Sequence, residues 1–148
     1  MVSPDGGSRG HLRLDPIRAI TYARTASLPR VTSPPYDVVG PDGVAALEAA
    51  DPHNVVRLIL PRPGGENDRY HHAAHDLRAW SEAGVLVTDP DPALWVYRHA
   101  TASGSAVGLV GSVGLDGPVL PHESTFERPV ADRVALMTVT SPACAWQP

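Results

Sequence analysis

Between residues 119 and 136 the chain reads VLPHESTFERPVADRVAL, and much of its capacity for acid–base and anion chemistry is gathered there. His122, Glu123, Ser124, Thr125, Glu127, Arg128, Asp132 and Arg133 stand close together between two apolar runs. His122 and Glu123 end a strand-like run. Pro129 reads as the first residue of a helix, where its missing N–H costs nothing. A loop that enters a helix offers free N–H groups and the positive end of the helix dipole to an anion. In that frame Arg128 lies just before the helix and Arg133 one turn inside it, so that two planar guanidiniums bracket a phosphate. Thr125 offers a hydroxyl donor or a contact to a metal-bound water. Glu123 is the candidate general base for a substrate hydroxyl. The competing reading is a solvated loop whose charges pair with each other, Glu127 with Arg128 and Asp132 with Arg133, at little gain in stability.

Elements must hold these residues in place, and the hydrophobic pattern supplies several. NVVRLILP (54–61) is β-branched and almost continuously apolar, which predicts a central strand. In ENDRYHHAAHDLRAWSEAG (66–84) Tyr70, Ala73, Ala74, Leu77 and Trp80 recur at helical spacing and Gly84 supplies a stop, which predicts a helix over 67–83 with that face buried. DGVAALEAADP (42–52) predicts a short helix. ALWVYRHA (93–100) and AVGLVGSVGL (106–115) predict strands joined by a hairpin turn at TASGS. SPPYDVVGPDG (33–43) is a rigid turn region, because Pro34 and Pro35 fix φ. Residues 1–11 are polar and Gly-rich and read as a loose tail. Residues 12–148 read as a single domain whose mixed element order favours an α+β fold over a doubly wound sheet. The expected core is one sheet of 54–60, 94–99 and 106–114 with the 67–83 helix packed on it.

Composition excludes some chemistry. All twelve basic residues are Arg. Without Lys there is no Schiff base and no P-loop lysine, so an anion clamp must use Arg, His or backbone N–H groups. Cys144 is the single cysteine, which excludes an intrachain disulfide and a cysteine metal cluster. It reads as a buried thiol. The formal charge of −4 gives no electrostatic footprint for nucleic acid and no attraction to an anionic membrane surface. The first fifteen residues carry no apolar leader, and no apolar run approaches spanning length, so a cytoplasmic location is the expectation.

Other constellations are weaker. His71 and His75 share a helical face at metal-ligand spacing but lie off the apolar face, and a solvated surface accounts for them. HEST lacks the second His of a zinc-protease motif. GLVGSVG (108–114) belongs to a strand, where glycines mark close backbone packing or a bulge. Trp80 and Trp95 read as core.

Taken together, SPPYDVV, NVVRLILP, the helix with Trp80 before Gly84-Val85-Leu86, the hairpin with Trp95 and Tyr97, and His122-Glu123-x-Thr125 followed by Arg133 resemble the bacterial domain-of-unknown-function 1015 family. The resemblance runs from about residue 14 over nearly the whole chain. Family members are usually longer, so the chain reads as the N-terminal portion of a longer member. The family resembles the ParB/sulfiredoxin superfamily of small α+β nucleotide-binding domains with a mixed sheet and packed helices, some of which are kinases of free L-serine. The resemblance implies binding of ATP or ADP with Mg²⁺ and phosphoryl transfer to a small hydroxyl substrate, L-serine above all, to give O-phosphoserine. Arg128 and Arg133 then hold phosphate, Glu123 or Asp37 serves as base, and His122 and Thr125 act as polar positioning groups. The alternative is a non-catalytic nucleotide- or partner-binding module. A sulfiredoxin-like reductase is disfavoured because Cys144 lies outside the cluster, and a ParB-like DNA partner by the acidic balance.

Overall fold

The computed structural model describes residues 12–62, 68–115 and 127–140. Their elements run β1 Leu14–Asp15, β2 Ile20–Tyr22, α1 Leu28–Val31, α2 Pro41–Ala50, α3 Val56–Ile59, α4 Asp68–Glu82, β3 Leu86–Thr88, β4 Trp95–Thr101, β5 Gly104–Val110, β6 Ser112–Val113 and α5 Glu127–Thr140. The fold class is α+β, as the element order implies. The single central sheet is not there: the described strands form three two-stranded sheets, β1–β6, β2–β3 and β4–β5. By its contacts the described chain divides into two compact units, one of 20–87 with α5 and the other of 12–19 with 88–115.

The larger unit is organised by α4. Its apolar stripe, Tyr70, Ala73, Ala74, Leu77 and Trp80, is buried as the spacing requires. The first half of the stripe packs on α5 through Leu136, Ala135 and Val139. The second half packs on Leu86 of β3 and, from β2 and α3, on Ile20, Tyr22 and Leu58. The helix is therefore laid on the β2–β3 pair, and the expected partner strands 94–99 and 106–114 belong to the other unit. Gly84 ends α4 at φ +70, a conformation that a Cβ disfavours. The N–H of Val85 donates to Trp80 and that of Gly84 to Ser81, which satisfies two carbonyls of the last turn.

The segment expected as a central strand is helical instead. Asn54, fully buried, accepts the Val56 N–H at 3.0 Å on Oδ1 and so starts α3 from its side chain. Its Nδ2 donates to the carbonyls of Arg30 at 2.7 Å and Thr32 at 3.0 Å, which ties α3 to the end of α1. Beside it the Tyr22 hydroxyl donates to the His53 carbonyl at 2.7 Å. Burial, with the Asp51 charge nearby, pushes that phenol up to about 12, so it stays a donor. A short apolar run fits a buried helical turn as well as a strand, and the Asn54 bonds decide between them.

In the smaller unit β4 and β5 pair antiparallel in register from Trp95↔Val110 to Thr101↔Gly104, the hairpin expected at TASGS. β1 pairs antiparallel with β6, Leu14 opposite Val113. Gly111, between β5 and β6, marks the close packing read from GLVGSVG: a Cβ there would meet the Asp15 carbonyl and a Leu94 methyl at 2.8 Å. Trp95 is half-buried.

Trp80 is 5% exposed and stands edge-on to the His53 ring, with centroids 5.4 Å apart. Trp80→Ala is expected to lower unfolding free energy by about 3–5 kcal/mol in urea titration, the scale for emptying a large core site.

Candidate anion-binding cleft

Four segments of the larger unit enclose a cleft of about 410 Å³, within the usual range for a small-ligand site. Val39, Pro41 and Val44 line it from the turn before α2 and from α2 itself. Leu60, Pro61 and Arg62 follow α3, Arg69 and Tyr70 open α4, and Asp132 and Arg133 lie on α5. Among the described residues the lining combines apolar side chains with three guanidiniums and one carboxylate, and one of the three, Arg62, is paired with Glu48 outside the lining.

The charged part of the lining is ordered around Asp132. Its Oδ1 accepts from Arg69 at 2.6 Å and from the Tyr70 hydroxyl at 2.8 Å, and Arg69 also donates to that hydroxyl. Its Oδ2 accepts from Arg133 Nε at 3.0 Å and from Arg133 Nη2. Arg133 Nη1 donates to the Ile59 carbonyl at 2.8 Å, capping the end of α3. The guanidinium carbon of Arg133 also lies over the Tyr36 ring, 4.7 Å from its centroid, and that of Arg69 over Tyr70 at 4.6 Å. Arg62 pairs with Glu48 of α2. A guanidinium has five N–H donors. Three on Arg133 are used in these bonds, which leaves two without a partner among the described residues.

Burial alone would push the Asp132 carboxyl up. The hydrogen bonds from Arg133 and Tyr70 and the charges of Arg133 and Arg69 outweigh that effect and hold it below the ordinary carboxylate range. Asp132 is therefore a poor proton acceptor at neutral pH and a firm structural anion.

Of the residues singled out from sequence, Arg133 lines the cleft. His122, Glu123 and Thr125 lie outside the described residues. Arg128 is exposed and is not among the cleft's lining residues. It stands inside α5 rather than before it, because the described part of the helix already begins at Glu127, two residues before Pro129. The first turn has no intrahelical use for the proline N–H, so Pro129 is accommodated there equally well. Asp37 sits exposed on the Pro-Pro-Tyr-Asp turn, next to Tyr36, and does not line the cleft. The Asp132–Arg133 pair of the competing reading is present. Arg62, Arg69 and the polar end of Tyr70 were missed. Tyr70 reads as core from its spacing, and nothing in a single sequence links it to Asp132, 62 positions away. Among the described residues no cluster of three or more His, Cys, Asp or Glu is gathered for a metal, and His75 pairs with Asp76 at 3.4 Å. No described helix is long and apolar enough to cross a membrane.

A family model described as "protein of unknown function (DUF1015)" matches residues 14–143. No curated protein and no solved structure matches the chain.

Because the folded pKa of Asp132 lies below its ordinary value of 3.8, its contribution to stability is complete above that value. It is lost as pH falls through the folded value. Asp132→Asn is expected to be less stable than the parent at pH 7 and to lose less stability than the parent between pH 5 and pH 2, read by urea unfolding at each pH.

Proposed function

The chain belongs to the DUF1015 family, and from that premise we propose that it binds ATP or ADP in the Arg133 cleft and transfers a phosphoryl group to a small hydroxyl substrate, free L-serine first. The observation that carries the proposal is the presence of Arg62, Arg69 and Arg133 together with apolar side chains in the lining of one cleft. Guanidiniums recognise phosphate oxygens with paired donors, and apolar side chains suit the flat base of a nucleotide.

In the proposed reaction the serine hydroxyl oxygen attacks the terminal phosphorus. The bond from that phosphorus to the bridging oxygen breaks, and the nucleotide leaves with one phosphate fewer. The hydroxyl proton passes to Glu123, with Asp37 as the other candidate base. His122 and Thr125 are the proposed positioning groups, and Arg128 a proposed second phosphate contact. Most of the rate enhancement in such a reaction comes from positioning and charge stabilisation. Mg²⁺ sheds its waters reluctantly and is usually held by phosphates with one or two carboxylates. Asp37 lies outside the lining of the cleft but is exposed on the turn that carries Tyr36, and it is the carboxylate proposed to hold the ion. When bound, the ion would neutralise charge on the phosphates.

A second reading, a nucleotide- or partner-binding module without turnover, draws on Asp132. It is the carboxylate that lines the cleft among the described residues, and its neighbours keep it weakly basic.

Incubation with Mg²⁺, L-serine and either ATP or ADP separates the two readings. O-phosphoserine is the expected product, and nucleotide binding without product supports the module instead. Glu123→Gln is expected to keep nucleotide affinity and to lower turnover by about 10²–10⁴, the usual contribution of a positioned base. Parent-like turnover in that variant would move the role to Asp37. Arg133→Ala is expected to weaken nucleotide binding by about 1.5–3 kcal/mol in calorimetric titration. Arg133→Lys is expected to recover part of that loss, since an ammonium lacks the fork.

A further inference from the structure

Arg133 is held along its edges by Asp132 and by the Ile59 carbonyl. In-plane bonds fix where a guanidinium sits but resist tilting out of the plane weakly. The Arg133 guanidinium carbon also lies over the Tyr36 ring, 4.7 Å from the ring centroid. Tyr36 is carried on the Pro34-Pro35 turn, which the Val38 N–H closes onto the Pro35 carbonyl at 3.1 Å. Two prolines restrict the backbone there, so the ring is presented from a stiff support. A guanidinium is weakly hydrated on its faces, and an aromatic ring can cover one at small desolvation cost.

We propose that Tyr36 is the positioning residue of the cleft: its ring stacks on Arg133 and holds the two N–H donors of that guanidinium left without a partner among the described residues ready for a nucleotide phosphate. The assignment rests on the nucleotide reading given above. Tyr36 does not line the cleft itself, so its effect on a ligand passes through Arg133. It is also 42% exposed, so removing the ring leaves no closed cavity, and its effect on affinity is separable from any effect on stability.

The test measures ADP affinity by titration calorimetry, with thermal midpoints, in the parent, Tyr36→Phe and Tyr36→Leu. Phe keeps the ring and is expected to bind within about twofold of the parent. Leu is expected to bind about three- to tenfold more weakly at an unchanged midpoint, the scale of one cation–π contact. In an Arg133→Ala background Tyr36→Leu is expected to change nothing further. Parent-like ADP binding in Tyr36→Leu overturns the proposal. So does an equal loss in the Arg133→Ala background, which would make Tyr36 a direct ligand contact. Nuclear Overhauser contacts between the Tyr36 ring and the Arg133 side chain read the stack in the unaltered protein, and their absence also overturns it. A parent chain that binds no ADP defeats the nucleotide reading itself, and this assignment with it.

Discussion

The carboxylate of Asp132 is the point on which the charged side of the larger unit depends. Arg69 and Arg133 both reach it. Two guanidiniums brought this close would repel each other without an anion between them. With Asp132 ionised they become fixed donors, and each then reaches a further segment. Arg133 caps α3 and stacks on the Pro-Pro-Tyr-Asp turn, and Arg69 covers the Tyr70 ring. Asp132 and Arg133 are only 27% and 26% exposed, so water screens this network less than it would a surface pair. The same ion leaves the described lining of the cleft short of full neutralisation. One negative charge satisfies part of the donor set and leaves an excess of positive charge behind.

What could be read from the sequence follows from where the deciding interactions lie. The α4 helix was legible because its signal is local: five apolar residues at helical spacing and a glycine stop are all contained in one stretch. The β4–β5 hairpin was legible for the same reason. The segment 54–61 was misread because its decision is made elsewhere. Asn54 bonds to carbonyls of Arg30 and Thr32, more than twenty positions back, and those bonds favour a helical turn where the apolar run alone suggests a strand. With that strand gone, the single sheet built around it goes as well.

The site divides in a similar way. Arg133 was found because charge concentrates around it in the sequence. Arg69 and Tyr70 were not, since one reads as a surface arginine and the other as a core aromatic, and only the fold brings their polar ends to α5. Arg62 follows an apolar run and has no charged neighbours in sequence to draw attention to it. The segment that drew attention first, with His122, Glu123 and Thr125, precedes α5 directly in the chain, so the chemistry proposed for it is attached to the helix that carries Asp132 and Arg133.

The larger unit is discontinuous, and this bears on how it is made. The chain leaves it after β3, builds the smaller unit and returns for α5. Arg69 and Asp132 are 63 positions apart. At a synthesis rate of about 5–20 residues per second, the α4 face waits about 3–13 seconds for the helix that covers it. During that interval the nascent chain presents Tyr70 and Ala73 uncovered, with Leu136 still to be added. The smaller unit, whose described part ends well before α5, can pair its strands first. The larger unit, although most of it is made first, is therefore completed last, when α5 arrives to cover the apolar face of α4.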